Sequence, residues 1–289
     1  MTVRVLAPAK INLTLDVVGR REDGYHLLRS VMQTVDLCDT VTVTEAESGG
    51  IRLLCDGGIP ADSSNTAYRA AALFAERTGR DLNVTITVEK HIPSQAGLAG
   101  GSTDAAAVLA ALNVLTDAGL SLPQLCDRGA EIGADVPLCV HGGTVLCTGT
   151  GTELTPLPAL PPCSVVIVKP EGGVSTPQAY RLLDSAPALL HPDTDAFCRG
   201  LQSGSLSAVT PFVGNSFEQP LALPYTADIR RRLAQGGSMA DALSGSGSAV
   251  FGLFEDEATA AACAERLRKR YPETFVCRPC NGLIVEKFV

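Results

Sequence analysis

The residues of this chain best placed to do chemistry lie in the run Ile92-Pro-Ser-Gln-Ala-Gly-Leu-Ala-Gly-Gly-Ser-Thr-Asp104. A strand-like stretch, 82–90, leads into it, and an alanine-rich helical stretch starts near Ser102. A helix start carries unpaired backbone N–H groups and a partial positive charge. Gly97, Gly100 and Gly101 put no side chain in the way of an anion, so the run is suited to cradle phosphate. It is not a Walker loop, because Gly101 is followed by Ser102-Thr103 without a lysine. It is not a dinucleotide fingerprint either. Ala99 stands where the second glycine belongs, and Asp117, the acidic residue at the right distance, follows a helix. A glycine-rich turn before a buried helix is the alternative. Pro93, the small or flexible residues of the loop and the Gly-Gly-Ser-Thr-Asp start favour phosphate.

Four further groups stand out. Lys10 and Asn12 are two apart in an alternating segment, so they share one strand face while Ile11 and Leu13 fill the core side. A solvated strand edge would look the same. Asp135, in Gly133-Ala-Asp-Val-Pro137, follows a helix and has apolar neighbours, which suits either a cap or a reactive carboxylate. Gly245 and Gly247 punctuate a glycine-serine loop that runs into a strand. The Asp23-Gly24 pair makes a turn that presents Tyr25 and His26.

These groups need elements to hold them. Alternation over 11–17, with strand character at 3–7, 41–44 and 51–55, predicts sheet in the first part. Ser63-Ser64-Asn65 can cap a helix that Gly79 ends, and Ser121-Leu-Pro starts another that stops near Gly133. Short strands are expected at 143–147 and 153–157. The proline-rich 156–162 marks a boundary. Beyond it come a buried strand at 164–168, a mainly helical stretch to 243 with an irregular part near 211–220, and then strand 249–254, helix 257–271 and strands near 274–277 and 283–285.

The composition narrows the classes. With 289 residues, 45% of them hydrophobic, the chain can bury real cores. Its 23 basic and 31 acidic residues give a net charge of −8, so no overall field attracts nucleic acid. No apolar run reaches the length of a membrane span. The ten cysteines are expected to be reduced thiols of a cytoplasmic protein, and Cys277-Arg-Pro-Cys280 lacks the second pair a zinc site needs.

The strings resemble the motifs of the GHMP kinases. Pro93 to Thr103 is similar to their Pro-x-x-x-Gly-Leu-x-Gly-Gly-Ser-Ser/Thr motif, with Ala99 at a position often held by glycine. Pro8-Ala-Lys-Ile-Asn-Leu13 resembles the first motif, Gly133 to Pro137 carries the kinase aspartate, and Leu243 to Phe251 resembles the third motif. The resemblance implies an α+β fold in two lobes. Residues 1–158 would be an N-terminal lobe like domain 2 of ribosomal protein S5, and 159–289 a ferredoxin-like α/β lobe, with the active site between them. It implies ATP as phosphate donor, with Mg²⁺ bound mainly through the ATP phosphates and not by a dedicated set of metal ligands. ATP contacts are expected from Pro93, Ala96, Gly97, Leu98, Ala99, Gly100, Gly101, Ser102 and Thr103, and from Asn65 and Lys90, although an N-cap and a strand-end lysine explain those two as well. Lys10 and Asn12 would face the substrate hydroxyl, and Asp135 would take its proton.

Within that superfamily, Arg21-Glu-Asp-Gly-Tyr-His26 after Ala-Lys-Ile-Asn-Leu resembles the 4-diphosphocytidyl-2-C-methyl-D-erythritol kinases of the non-mevalonate isoprenoid route. Their acceptor is a small molecule with a cytidine diphosphate group, phosphorylated at its 2-hydroxyl. The resemblance makes Tyr25 and Tyr180 (in Val174-Ser-Thr-Pro-Gln-Ala-Tyr180) an aromatic sandwich for the base, and His26 a reader of its edge. It sets Gly245 and Gly247 against the substrate and also matches Asn215. A monomer or homodimer is implied. Kinases of mevalonate or homoserine, and a ligand sensor on the same fold, are the alternatives. Their ligands need no base reader, and a sensor tends to lose the lysine or the aspartate, both present here.

Overall fold

The computed structural model describes residues 1–288. The first sheet is built around one long strand. β1 (Thr2–Asn12) and β2 (Thr14–Arg20) each pair antiparallel with different stretches of β3 (His26–Glu45). The segment 11–17, read as one strand, is divided between β1 and β2, yet Ile11, Leu13, Leu15 and Val17 are all buried as the alternation requires. Pro8 has no N–H to give a ladder, and the β1–β3 register shifts between Pro8 and Ala9. β4 (Ile51–Cys55) pairs in parallel with β5 (Val84–Glu89), which continues onto the far end of β3. β6 (Thr144–Thr148) pairs with the near end of β3, and β7 (Glu153–Pro156) with β6.

Helices cover one face of this sheet. α1 (Thr66–Thr78) starts at Asn65, whose side chain accepts from the Ala67 N–H, and ends at Gly79 with φ +65°. α2 (Gly100–Leu115) is buried on most of its surface, and its alanines let it lie close to α1 and the strands. α3 (Leu122–Ile132) starts with a capping box between Ser121 and Gln124. α4 (Val136–His141) follows after a short turn.

The second sheet comprises β8 (Ser164–Val168), β10 (Ala240–Leu243), β11 (Val250–Phe254) and β12 (Thr274–Cys277), antiparallel throughout in the order β10-β11-β8-β12. Between β8 and β10 lie α5 (Thr176–Asp184), α6 (Thr194–Leu201), two short 3₁₀ turns, the two-residue β9 (Gly214–Asn215), α7 (Glu218–Leu221) and α8 (Pro224–Gln235). α9 (Glu257–Arg268) joins β11 to β12. This is the strand order of a ferredoxin-like βαββαβ unit.

β8 shows how the two lobes are joined. All five of its residues are buried. Val165 and Ile167 pack with Ile11, Leu13, Val31 and Leu98 of the first lobe. Val166 and Val168 pack under α8 and α9 with Ile229, Leu233, Ala260 and Leu267. Each such buried aliphatic side chain contributes about 1.5–3 kcal/mol, so the lobes share one core here and do not hang on a linker. Two strands cross between the lobes. β9 pairs in parallel with β2, and β13 (Ile284–Phe288), which lies beyond the expected 158/159 boundary, pairs with β1 of the first sheet. Among the described residues no helix is long and apolar enough to cross a membrane.

Candidate active site

Three backbone segments meet where the lobes join. The loop 92–99 is hydrogen-bonded to β1 on one side, with the Lys10 N–H donating to the Leu98 carbonyl at 3.1 Å. On the other side it is bonded to the loop 244–249. The Ala249 N–H donates to the Ala96 carbonyl at 3.0 Å, and the Ser244 hydroxyl to the Gly97 carbonyl at 3.0 Å. The loops approach so closely that a Cβ on Gly97 would lie 2.1 Å from the Ser244 carbonyl oxygen. Gly97 is therefore required by the neighbouring loop and by its φ of +75°, more than by an anion. Ala99 caps α2 in the left-handed region at φ +61° with no side-chain bond. An alanine held there costs about 1–2 kcal/mol, which gives the glycine preference at this position a physical basis.

A cavity of about 530 Å³ opens over the start of α2, lined among others by Pro93, Ala96 to Ser102, Lys10, Asp135 and Gly245. The helix begins at Gly100, two residues before the expected start, so the first unpaired N–H groups belong to Gly100 and Gly101. Ser102 lines the cavity. Thr103 does not: one helical step turns it into the core, where it is fully buried and its hydroxyl has no partner. The expectation that both hydroxyls face the nucleotide is thereby corrected to Ser102 alone.

Lys10 and Asp135 come together on the wall of the same cavity, with Nζ 3.7 Å from Oδ2. The lysine side chain is 4% exposed and the aspartate 34%, so the carboxylate is the more open of the two. Asp135 sits in the turn between α3 and α4, at the N-cap position of α4, and its side chain makes no capping bond. Asn12 is buried behind Lys10. Its Oδ1 accepts from Lys10 Nζ at 2.8 Å and from the Gly245 N–H at 2.9 Å, and its Nδ2 donates to the Ser30 hydroxyl at 2.9 Å. Protein groups thus take three of the four hydrogen-bonding positions of the amide, which sets the position of the lysine and of the 245 loop and still reaches the cavity wall. Asn215 is fully buried, and its Nδ2 donates to the Leu243 and Gly245 carbonyls at 2.7 and 2.8 Å. It braces the same loop. Gly245 lines the cavity; Gly247, at φ +87°, packs against Leu243.

Lys90 is not a free cation. Its ammonium is shared by Asp39 and Asp104, at 2.7 Å from Asp104 Oδ2. Burial works against its charge, but the two carboxylates outweigh that and its pKa is raised. Burial pushes the Asp104 carboxyl up to about 7, against the pull of Lys90, and its Oδ1 has no partner. Near neutrality this limits the negative charge just beneath the helix start. Asn65 lines the cavity rim with its amide engaged as N-cap and with the Pro60 carbonyl, at 2.7 Å from Nδ2. No sequence signal marked Asp39 or Asp104 as partners of Lys90.

The aromatic side differs from expectation. Tyr25 is 66% exposed and does not line the cavity, so it forms no sandwich with Tyr180 in this structure. The turn 21–25 holds it outward: the Arg21 N–H donates to the Tyr25 carbonyl at 2.7 Å, and the Tyr25 N–H to Asp23 Oδ1 at 3.2 Å. His26 takes the place against Tyr180, with ring centroids 4.4 Å apart and planes inclined by 23°. Tyr180 meets Phe217 edge-on at 5.0 Å, and both rings line the cavity. Burial pushes the Tyr180 phenol up to about 12. Phe217 has no local signature in the sequence, since it reaches the site from a different element 37 residues on. Cys277 and Cys280 do not line this cavity; burial pushes the Cys277 thiol up to about 12.

The GHMP kinases N terminal domain model matches residues 65–143, and the GHMP kinases C terminal model residues 185–273. The chain is 41% identical to a 4-diphosphocytidyl-2-C-methyl-D-erythritol kinase of Clostridium kluyveri, over 95% of this chain and 99% of the relative. It is 43% identical to the Geobacillus kaustophilus protein of the same name, over 96% and 97%. A crystal structure of 4-(cytidine 5'-diphospho)-2C-methyl-D-erythritol kinase superposes with a TM-score of 0.82 at 38% identity, covering 96% of this chain and all of the other. A homoserine kinase from Cytophaga hutchinsonii shares the fold, with a TM-score of 0.79 at 21% identity. The chain belongs to the GHMP kinase superfamily and, within it, to the 4-diphosphocytidyl-2-C-methyl-D-erythritol kinase family.

Proposed function

We propose that this chain transfers the γ-phosphate of ATP to the 2-hydroxyl of 4-diphosphocytidyl-2-C-methyl-D-erythritol, with Lys10 and Asp135 as its catalytic pair. The observation that carries the reading is the 3.7 Å approach of Lys10 Nζ to Asp135 Oδ2 in a cavity that the open start of α2 also lines. The triphosphate lies along the loop 93–102, on the N–H groups of Gly100 and Gly101 and the Ser102 hydroxyl. The acceptor hydroxyl attacks the γ-phosphorus, the bond to ADP breaks, and Asp135 takes the hydroxyl proton. Lys10, held in place by Asn12, sets its ammonium beside the oxygens on which negative charge grows. Alignment and charge stabilisation supply most of the rate, and proton removal about 10²–10⁴.

Mg²⁺ bound with ATP would neutralise charge on the phosphates, with phosphate and water oxygens as most of its ligands. The Ser102 hydroxyl, on the cavity wall, is the protein oxygen suited to it. The cytosine occupies the end of the cavity formed by Tyr180 and Phe217. Tyr25 closes over it by a swing of the exposed 21–25 turn, and stacking on each ring contributes about 1–3 kcal/mol.

ADP release with Mg-ATP and, in turn, the cytidyl acceptor, mevalonate and homoserine tests this. Turnover of the cytidyl acceptor alone is expected, with phosphorus NMR placing the new ester at the 2-position. Turnover of mevalonate or homoserine only would refute the assignment, and no turnover with any would favour a ligand sensor.

A further inference from the structure

α5 holds the His26 ring in two ways. Tyr180 stacks on its face at 4.4 Å. Asp184, one helical turn further along the same face, bonds its edge, with Oδ1 2.6 Å from Nε2. The other Asp184 oxygen accepts from Arg20 Nη1 at 3.3 Å, and Arg20 Nε donates to the Gly24 carbonyl at 3.1 Å. The carboxylate therefore ties α5 to the hairpin tip that carries Tyr25 and His26. A carboxylate only accepts, so Nε2 must carry the proton, and a neutral ring is then left with a lone pair at Nδ1. Among the described residues Nδ1 bonds to no protein atom, and it is not one of the sealed polar atoms without partners.

We propose that Asp184 is a positioning residue for base selection: by accepting a hydrogen bond from Nε2–H it leaves Nδ1 of the neutral His26 ring as an acceptor, which suits the C4 amino group of cytosine and opposes the C4 carbonyl of uracil. The proposal rests on the functional reading above and on the base-reading role that the family resemblance gives His26, whose ring stacks on the cavity-lining Tyr180 without itself lining the cavity. Cytosine offers a donor at C4 where uracil offers an acceptor. A lone pair facing a lone pair loses a hydrogen bond and leaves both groups unpaired. Without the carboxylate the ring can protonate either nitrogen, and the preference fades. Tyr180 and the apolar cavity wall do not distinguish the two bases, since each has the same flat face.

The test compares wild type, Asp184→Ala and Asp184→Glu. kcat/KM is measured for the cytidyl acceptor and its uridyl counterpart, and nitrogen-15 NMR reads the His26 tautomer in the free proteins. The wild type is expected to show protonated Nε2. In Asp184→Ala the tautomers mix and the cytidyl-to-uridyl ratio drops by roughly tenfold, a change of about 1.4 kcal/mol; Asp184→Glu restores both. The Asp184 side chain is 33% exposed, so the alanine variant is expected to fold, and a lost helix contact alone would lower both substrates together. An active wild type whose ratio is unchanged in Asp184→Ala, or whose His26 carries its proton on Nδ1, overturns this inference alone. A wild type inactive on the cytidyl acceptor overturns the functional reading and the selectivity claim with it.

Discussion

Gly97→Ala tests the seam between the two loops directly. The added methyl would sit 2.1 Å from the Ser244 oxygen, 2.9 Å from its carbonyl carbon and 3.2 Å from the Gly247 nitrogen. All three are backbone atoms, so no side chain can swing away. Relief needs the loops to part by about 1 Å, which lengthens the Ser244–Gly97 and Ala249–Ala96 bonds. Overpacking of this kind costs about 1–3 kcal/mol. The positive φ adds about 1–2 kcal/mol for any residue with a Cβ. A loss of roughly 2–5 kcal/mol follows in urea unfolding at fixed m-value. Gly79→Ala is the control, since φ there is +65° but nothing lies within 4 Å of the new methyl. It pays only the conformational cost, about 1–2 kcal/mol. The shift also moves the Gly245 N–H that Asn12 holds, and with it the wall beside Lys10. A displacement of about 1 Å near reacting groups costs roughly 10² in kcat. If Gly97→Ala matched the control in stability and kept wild-type kcat, the close packing would not be what demands glycine here.

Two other outcomes are expected. Asp135→Asn keeps the shape of the side chain but cannot take a proton; kcat should fall by about 10²–10⁴ with the KM for ATP nearly unchanged, and near-normal kcat would remove Asp135 from the mechanism. Asp104 has its folded pKa raised from 3.8 to about 7, so the folded chain holds a proton that the unfolded chain has already released. That stabilisation is complete below the unfolded value and is lost as pH rises through about 7; Asp104→Asn should flatten the loss in melting temperature between pH 4 and 8, and an identical slope in both proteins would contradict it.

Local chemistry was readable where one segment carries its own instruction. Lys10 and Asn12 share a face because strands have period two, and Asn65, Gly79 and the Ser121–Gln124 box mark helix ends by bonds within a few residues. α2 starts two residues before the position that residue preferences indicate, because Gly100 and Gly101 are weak helix formers that the loop geometry forces into the first turn. β3 was recognised only at 41–44. Its residues 30–35 are all buried, since Val31 and Val35 pack in the core shared with the second lobe and Met32 packs with Leu138 and Val145, and burial on both faces erases alternation. Phe217 and Asp184 reach the site through packing of distant elements, for which no spacing rule exists. The resemblance sets Tyr25 against Tyr180, but its exposed turn, closed by its own hydrogen bonds, holds the ring in solvent while His26 fills the contact.

The pairing of β1 with β13 bears on how the enzyme is made. β1 carries Lys10 and runs beside β3 on one side and β13 on the other. β3 leaves the ribosome soon after β1, whereas β13 follows it by roughly 280 residues, on the order of 15–60 seconds of translation. Throughout that interval the outer edge of β1 from Thr2 to Leu6 offers unsatisfied amides and carbonyls, the kind of edge on which chains join wrongly. The catalytic strand is synthesised long before the strand that seals its edge, so yield in cells should depend on chaperone supply more steeply than equilibrium stability would suggest.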